Sequence, residues 1–548
     1  MSKKSGQSFI KGAAILGVAA IIIKVMGAFF RIPLANLIGD EGMSYYQTAY
    51  PMYNWLIVIS TAGFPAAIAK TIAERTAVGD HYGAHRVFKT ILKLMTVIGL
   101  IGMLVMMMGA EWVTTYVKNA GGYYSFLALG PAILFVAVMS SFRGYFQGLQ
   151  DMKPYAYSQI VEQFFRVGLG LGLAFTLFNK GLEFASAGAT FGATSGAFFG
   201  FLIIFLYYER MKKKGALGNI DTKLPDQPEE TEKEIVAKVL KIAVPITIGA
   251  SVIPIMTMLD LFIVMRRLHD IGIVEQANDL YGQLTGYSQT LVNLPQTVTA
   301  AVQISLVPAI AALTAQKAQK ELNHTIETGL RLGLIIGLPC ALGLVSLAEP
   351  IMKLLYPMQI EIASSTGSIL AILGWGVLFL SMYQVTTGIL QGLGKQNLPA
   401  RNLFMGAILK GVLSYTLVGI PSLNIRGAAI ATVSAFACAS ILNFASLMKA
   451  VDFKPNWSKI FFKPAIDGAV MVVMVKITYY IVNRLALGSF SVLSAGRIAT
   501  VAAVGIGGIT FGLMLFVTNT LTEEDMDMMP GGNKLKKLAN KLSLRKAG

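Results

Sequence analysis

Charged side chains inside long apolar segments are the residues of this chain that could bind a ligand. Lys24 and Arg31 lie seven residues apart in the first such segment, about two turns apart on one helical face. A charge near the centre of a bilayer costs about 2.5 to 3.5 kcal/mol on insertion scales, so it usually faces a protein interior or a wet cavity. Two cations without an acid in the same segment favour an anionic ligand. The alternative is that both residues form structural ion pairs, or that the Arg31 side chain extends to the outer membrane interface.

Further charges lie in the interior of later apolar segments. Glu162 and Arg166 are spaced i, i+4, so each can neutralise the other on one face of a helix. Lys410 falls near the middle of another segment and could line a cavity. A structural role and contact with a ligand are both open for these three residues.

Asp260 ends the seventh apolar segment, and Arg266 and Arg267 follow one to two turns beyond it. The two arginines fall on the side predicted to face outward, where loops carry fewer basic residues. This group fits two interpretations. One is an ion pair that closes an outer gate, and the other is an ordinary helix end.

The motifs of several other chemistries are absent from the sequence. It contains no GxxxxGK[ST] phosphate loop, no HExxH pair and no Cys/His spacing of a metal site. We therefore predict no enzymatic activity, no metal and no cofactor, and ATP is not the expected source of energy. The chain would instead use the membrane potential or a gradient of Na⁺ or H⁺.

Composition indicates which elements must position these charges. The 548 residues are 54% hydrophobic and 14% charged, with a mean hydropathy of +0.61, which predicts an all-α polytopic membrane protein. We expect 14 transmembrane helices, arranged as two six-helix pseudo-repeat bundles plus two C-terminal helices. Their predicted starts lie near residues 10, 44, 86, 122, 155, 186, 236, 278, 325, 365, 399, 425, 463 and 493.

The net charge of +17 could indicate a nucleic-acid partner, but the basic residues lie in short loops between the apolar segments. The positive-inside bias of these loops, to which Arg143 is assigned, predicts that both termini are cytoplasmic. We therefore expect the membrane as a partner, and no nucleic acid. The predicted domains are a first bundle (1–211), a cytoplasmic linker (212–234), a second bundle (235–450), two additional helices (451–520) and a basic amphipathic tail (521–548).

An internal repeat supports the two related bundles. Gly, Ala and Pro recur by chance in apolar helices, so the shared order of three patterns carries more weight than any one of them. Repeats of this kind are typical of transporters whose halves rock around a shared site. The matched positions are Gly144 and Gly388 (388−144 = 244), Pro65 and Pro308 (308−65 = 243), and Gly188 and Gly427 (427−188 = 239), with a Gln-Gly-Leu motif at 147–149 and at 391–393.

Several motifs resemble those of a known family of membrane proteins. They are the segment 24–31 (KVMGAFFR), the turn 39–42 (GDEG), the element 63–65 (GFP) and both Gln-Gly-Leu motifs. Together they resemble the MATE-like polysaccharide exporters of the MOP superfamily, above all the Gram-positive branch of MurJ-type lipid II flippases and SpoVB-like proteins. The resemblance extends over essentially the whole chain.

The resemblance implies a transporter in the bacterial plasma membrane, with a central cavity lined by basic residues. In that family a basic pair on the first helix holds the pyrophosphate of an undecaprenyl-linked precursor, and Lys24 and Arg31 correspond to this pair. A lysine keeps the charge but lacks the bidentate geometry that arginine offers to phosphate. The polyprenyl tail would stay in the bilayer, along a groove formed by the two added helices. Residues 45–47 (YYQ) replace an acid typical of the second helix in relatives.

Three functions follow as hypotheses. The leading one is a flippase that moves lipid II, or a related lipid-linked cell-wall precursor, to the outer leaflet by alternating access. The second is a cation-coupled multidrug antiporter, with Glu162 as its deep acid, or an exporter of another lipid-linked polysaccharide unit. A non-transporting scaffold, recruited to the wall-synthesis or division machinery by the basic tail, is the third. The candidate substrate-binding residues are Lys24, Arg31, Glu162, Arg166, Asp260, Arg266 and Lys410.

Overall fold

The computed structural model describes the backbone of residues 3–218, 220, 230–451, 453 and 455–521. Side chains are described from residue 22 onward, apart from positions 24, 25 and 28. The Lys24 side chain, residues 219 and 221–229 of the predicted linker and the predicted tail beyond residue 521 lie outside the described residues. The predictions made for them stay predictions.

All regular elements in this part of the chain are helical, without a strand, which confirms the all-α class. The helices fall into two compact units, Met1–Gly286 and Tyr287–Gly548. The first unit contains α1 (Lys3–Thr61), α2 (Phe64–Ala77), α3 (His81–Met108), α4 (Ala110–Tyr116), α5 (Tyr123–Gly148), α6 (Lys153–Leu177), α7 (Leu182–Lys213), α8 (Glu232–Ala250), α9 (Val252–Leu259), α10 (Met265–Asp270) and α11 (Ala277–Gly282). The second contains α12 (Gln289–Val292), α13 (Gln296–Ala315), α14 (Gln319–Ser346), α15 (Ala348–Leu355), α16 (Ala363–Gly392), α17 (Asn397–Val418), α18 (Ile425–Ala450), α19 (Lys463–Ala486) and α20 (Val492–Val517).

Helices α8 to α11, which were expected to open the second bundle, are thus grouped with the first unit. The two added helices, α19 and α20, pack on each other and on α14 through Met471, Val475, Ala503, Phe511 and Ile335. The boundaries predicted for the two six-helix bundles stay predictions.

Twelve segments of the described chain are long and apolar enough to cross a membrane, so the protein is a multi-pass membrane protein. Two differences separate this number from the 14 expected. The first two predicted helices fall in one continuous candidate, Phe29–Ala77, and α17 is not among the twelve. The start predicted near residue 278 falls in the short helix α11, whereas the candidate segment in this part of the chain is Gln296–Ala315.

Gly39 divides α1 into two arms. Its φ of 70° and ψ of −172° belong to a region that residues with a Cβ rarely occupy, so glycine is required at this bend. The second arm is held by Asn119, which donates hydrogen bonds to the hydroxyl oxygens of Ser44 at 2.9 Å and Thr48 at 2.7 Å. All three side chains are fully buried, so the bend has a fixed partner.

The helix that contains Asp260 continues for ten residues beyond it, as part of the candidate membrane segment Glu232–Asp270. Asp260 is buried and begins a π-helical turn, Asp260–Val264. The prediction that Asp260 ends its segment was therefore wrong. Buried apolar residues such as Leu261 and Met265 carry the packed face of the helix past it.

Gly144 and Gly148, the second of which belongs to the first Gln-Gly-Leu motif, let α5 approach α2 closely. A Cβ placed on Gly144 would lie 3.0 Å from the carbonyl oxygen of Pro65. One placed on Gly148 would lie 2.9 Å from the carbonyl oxygen of Ala69. Small residues four apart on one face commonly form such contacts between membrane helices.

Gly388 and Gly392, the second of which belongs to the second Gln-Gly-Leu motif, do the same between α16 and α13. A Cβ on Gly388 would lie 2.7 Å from the carbonyl oxygen of Gln303, and one on Gly392 would lie 2.8 Å from that of Val307. Residues that play equivalent parts in the two units are therefore 238 apart on these helices (303−65 and 307−69). This contact confirms the repeat of the Gln-Gly-Leu motif in physical terms.

The match between Pro65 and Pro308, taken from a spacing of 243, does not hold in the packing. Pro65 lies in the first turn of α2, whereas Pro308 lies inside α13, five residues beyond the contact equivalent of Pro65. Apolar helices rich in alanine offer several alignments of similar quality, and the packing contact selects a different one.

Candidate ligand-binding site

A cluster of charged residues lies in the first unit. Glu162 on α6 accepts hydrogen bonds from Nη2 of Arg166 at 3.0 Å and from Nη2 of Arg143 at 2.9 Å. The side chains of Arg143, Glu162 and Arg166 are 9%, 15% and 25% exposed. The pairing of Glu162 with Arg166 is thus confirmed, but the carboxylate is shared with a second arginine from α5.

Arg143 is the residue of this cluster that sequence reasoning missed. It lies inside α5 and is buried, so its assignment to a cytoplasmic loop was wrong. Its Nε donates a hydrogen bond to Ser158 Oγ at 3.1 Å, and its guanidinium lies 5.2 Å from the centre of the Tyr155 ring. A buried guanidinium is tolerated when it is paired in this way.

A stripe of three glycines on α7 positions α6, which carries two of the charged residues. A Cβ on these glycines would lie 2.4 to 3.0 Å from backbone carbonyl oxygens of α6, so the two helices touch backbone to backbone. The contact holds the backbone behind the charged side chains in place. The facing pairs are Gly192 with Arg166 (2.5 Å), Gly196 with Glu162 (2.4 Å) and Gly200 with Ser158 (3.0 Å).

A row of tyrosines on α1 lies against the charged cluster. The rings of Tyr46 and Tyr50 stack with centres 4.5 Å apart, and Tyr50 meets Tyr53 edge-on at 5.5 Å. The positive charges of Arg31 and Arg166 both act on the Tyr46 hydroxyl. Arg31, a candidate from the sequence, is therefore beside the same tyrosine as Arg166.

The cluster has an excess of positive charge. Two guanidinium groups, those of Arg143 and Arg166, share the single carboxylate of Glu162, so this ion-paired group keeps one net positive charge. Guanidinium groups bind carboxylate and phosphate in bidentate geometry, and partial burial strengthens such bonds. The arrangement is therefore suited to an anionic group such as a phosphate, and Glu162 serves as the resident counter-ion.

The other predicted site residues occupy separate surroundings. Arg266, 49% exposed, pairs with Asp270 at 3.7 Å and lies over the Tyr116 ring at 5.9 Å. Asp260 is buried in the first unit, and Lys410 is buried in α17 of the second unit. Their roles in binding, like that of Lys24, stay predictions.

A second arginine that sequence reasoning missed lies in the second unit. Arg331 on α14 is 2% exposed, with Glu327 at 3.6 Å and the Thr328 hydroxyl at 3.4 Å. The spacing of Glu327 and Arg331 is i, i+4, the same signal that singled out Glu162 and Arg166. That signal was available in the sequence.

The bend at Gly39 is joined to α11 by close polar contacts. Gln283 donates a hydrogen bond to Asp40 at 2.9 Å, and Gln47 donates one to the carbonyl oxygen of Thr285 at 2.9 Å. A Cβ on Gly282 would lie 2.0 Å from the Asp40 carbonyl oxygen, so the backbones touch. This seam gathers acidic side chains from both segments.

The seam gives the protein a pH-dependent stability. Burial raises the pKa of Asp279, which lies outside the candidate membrane segments, to about 6, and the charges of Asp40 and Glu41 contribute. Because the folded pKa exceeds the unfolded value, ionisation costs more in the folded state. The contribution of Asp279 to stability is therefore largest below pH about 4 and is lost as pH rises to about 6.

We expect Asp279→Asn to raise stability at pH 7 by about 1 kcal/mol after allowance for solvent screening, and to flatten the decline between pH 4 and 6. Thermal unfolding in detergent at both pH values measures this. The exposed Glu275, changed to Gln, is the control and should leave the pH profile as it is. An unchanged profile in Asp279→Asn would contradict the assignment.

Comparisons with known proteins agree with this architecture. Residues 9–314 match the family model described as polysaccharide biosynthesis protein, and residues 285–416 match the MatE model. The chain is 28% identical over 534 residues to stage V sporulation protein B of Bacillus subtilis (strain 168), covering 96% of this chain and 98% of that protein. It is 26% identical over 522 residues to lipid II flippase MurJ of the same organism, covering 92% and 94%.

Among solved structures, an inward closed conformation of the lipid II flippase MurJ is similar, with a TM-score of 0.67 and 15% identity. The similarity covers 91% of this chain and 98% of that one, and it shows a shared fold. The resemblance to MATE-like polysaccharide exporters is confirmed, because the first family model spans more than half of the sequence. The chain belongs to the polysaccharide biosynthesis protein family.

Proposed function

We propose that the protein moves a lipid-linked saccharide precursor across the bacterial plasma membrane, with Arg31, Arg143 and Arg166 holding its anionic pyrophosphate. The observation that carries the proposal is the cluster in which one carboxylate, Glu162, is shared by two arginines. A pyrophosphate has several oxygens that can accept hydrogen bonds from guanidinium groups. Lys24 is proposed to add a fourth cation.

Similarity to proteins named lipid II flippase and stage V sporulation protein B supports lipid II, or a related undecaprenyl-pyrophosphate-linked cell-wall precursor, as the cargo. We propose 14 membrane crossings with both termini in the cytoplasm, in which the bend at Gly39 separates the first two. The head group would pass through the protein while the polyprenyl tail stays in lipid. Alternating access driven by the membrane potential, Na⁺ or H⁺ would give the movement its direction.

The multidrug antiporter hypothesis is less consistent with the surroundings of Glu162. An exchanger of cations needs an acid that can release its counter-ion to a proton or to a cationic drug. Glu162 is already bonded to Arg143 and Arg166, and the cluster as a whole is cationic. A cationic drug would be repelled, whereas an anionic head group is attracted.

Neutralising two of the proposed cations tests the function directly. We expect Arg31→Gln with Arg166→Gln to slow the translocation of a lipid-linked saccharide in proteoliposomes at least about 100-fold. Hydrogen bonds to charged groups contribute about 1.5 to 3 kcal/mol each, and about 1.4 kcal/mol corresponds to a factor of ten. Lys24→Gln with Arg31→Gln should likewise abolish complementation of a flippase-depleted strain.

The exposed Arg210 at the end of α7, changed to Gln, is the matched control and should translocate normally. Full translocation by both double variants would remove the proposed role of the cluster. Normal growth supported by a folded variant that cannot translocate would favour the scaffold instead. A leaflet-accessibility assay for lipid II after depletion separates this cargo from other saccharide units.

A further inference from the structure

The Arg166 guanidinium has one nitrogen that is bonded to a carboxylate and another that has no partner among the described residues. Its Nη2 is bonded to Glu162 at 3.0 Å. Its Nε is buried and has no hydrogen-bond partner among the described residues. A guanidinium carries five N–H donors in a rigid plane, so one nitrogen can hold a carboxylate while another serves a second acceptor.

A second unpaired donor is the hydroxyl of Tyr53 on α1. The side chain is 2% exposed, and its oxygen is buried with no hydrogen-bond partner in the described part of the protein. The hydroxyl interacts electrostatically with the Arg166 guanidinium, so the two groups share one environment. The edge-on contact with Tyr50 fixes the direction of the ring.

Buried polar groups without partners are uncommon because they lose their hydrogen bonds to water and gain none in return. A neutral phenol beside a cation favours an acceptor that carries negative charge, because such an oxygen can accept hydrogen bonds from both donors. Glu162 binds Nη2 and leaves the Nε–H without a partner, so this N–H is available to a second acceptor. Glu162 acts as a positioning residue for Arg166.

We propose that Tyr53 Oη and Arg166 Nε form a subsite for one phosphate oxygen. The proposal rests on the proposed function for the identity of the ligand, the pyrophosphate of a lipid-linked saccharide. It adds a neutral, specific hydrogen-bond donor to a site otherwise described by charge. The same chemistry would accept the phosphate of a bilayer lipid, so the experiment distinguishes the two sources.

The test compares Tyr53→Phe with the wild-type full-length protein in nanodiscs of uncharged lipid, with inorganic pyrophosphate as the probe. We expect the Kd for pyrophosphate to rise about tenfold or more. The thermal midpoint of the unliganded variant should stay the same or increase, because the substitution removes a buried hydroxyl that has no partner. A purely structural role for the hydroxyl predicts the opposite, a lower midpoint and an unchanged Kd.

Tyr208→Phe is the control, because it removes another buried tyrosine hydroxyl of the first unit, one that lies 3.4 Å from His85 Nε2. It should leave the Kd for pyrophosphate unchanged. In a second arm, nanodiscs with phosphatidylglycerol are used. Phosphatidylglycerol that competes with pyrophosphate in the wild type, but not in Tyr53→Phe, would identify a bilayer lipid as the occupant. That result would overturn the assignment to pyrophosphate.

The outcomes separate this inference from the proposed function. An unchanged Kd in Tyr53→Phe, or no pyrophosphate binding by a wild-type protein that translocates its lipid, overturns the subsite and leaves the function standing. Tyr53-dependent binding of pyrophosphate by a protein that translocates no lipid-linked saccharide supports the subsite and refutes the function.

Discussion

Glu162→Leu should destabilise the protein by about 3 kcal/mol, because it leaves Arg143 and Arg166 without their shared carboxylate. Removing one partner of a buried ion pair costs about 3 to 5 kcal/mol, since the remaining charge stays out of water. The lower end applies because Glu162 and Arg166 keep 15% and 25% of their side-chain surface exposed. Denaturant unfolding of the purified protein in detergent measures the change.

Glu74→Leu is the matched control for this substitution. Glu74 also faces two cations, Lys70 at 3.9 Å and Lys238 at 3.7 Å, but its side chain is 48% exposed. Exposed ion pairs contribute about 0 to 1 kcal/mol, so this variant should unfold close to the wild type. Equal losses of unfolding free energy in the two variants would contradict the prediction, because burial of the Glu162 cluster would then make no difference to stability.

Gly196→Val should separate α6 from α7 and disrupt the charged cluster. Any Cβ at this position would lie 2.4 Å from the carbonyl oxygen of Glu162, a backbone atom that cannot turn aside. Overpacking of a close contact costs about 1 to 3 kcal/mol and sometimes more, and we expect a value at or above about 3 kcal/mol for the branched side chain. Translocation should fall with stability, because the backbone that bears Glu162 and Arg166 is displaced.

The neighbouring Gly172 on α6 offers a control of the same type. A Cβ there would meet no atom within 4 Å among the described residues. Gly172→Val should therefore fold and translocate like the wild type. Wild-type stability in Gly196→Val would mean that α6 and α7 can move apart without loss, and the glycine stripe would then have no positioning role.

Part of the candidate site could be predicted from spacing within one helix. Glu162 and Arg166 are four residues apart, and local geometry alone brings them together. Arg143 could not be found in this way, because its partners Ser158 and Glu162 lie on the next helix. A single basic residue near a polar stretch is also the common pattern of a cytoplasmic loop, which led to the wrong assignment.

More of the fold than of the candidate site could be predicted from the sequence. Apolar segments of spanning length locate the helices, since the thickness of a bilayer fixes their length, but some starts are several residues off, such as 325 against Gln319 for α14. Close contacts were less predictable. Gly144 and Gly388 were matched correctly because they stand in a longer motif, whereas Pro65 and Pro308 were matched through surroundings rich in alanine, where sequence offers little to choose between alignments.

The two prolines have different mechanical consequences. Pro65, in the first turn of α2, occupies a position where no backbone hydrogen bond is lost, so it stiffens the start of that helix. Pro308 lies within α13, where it removes a hydrogen bond and weakens the helix at one point. Of these two helices with equivalent glycine contacts, α2 is stiffened at its start, whereas α13 can bend at an internal position. The two helices therefore differ in stiffness, although their glycine contacts are equivalent.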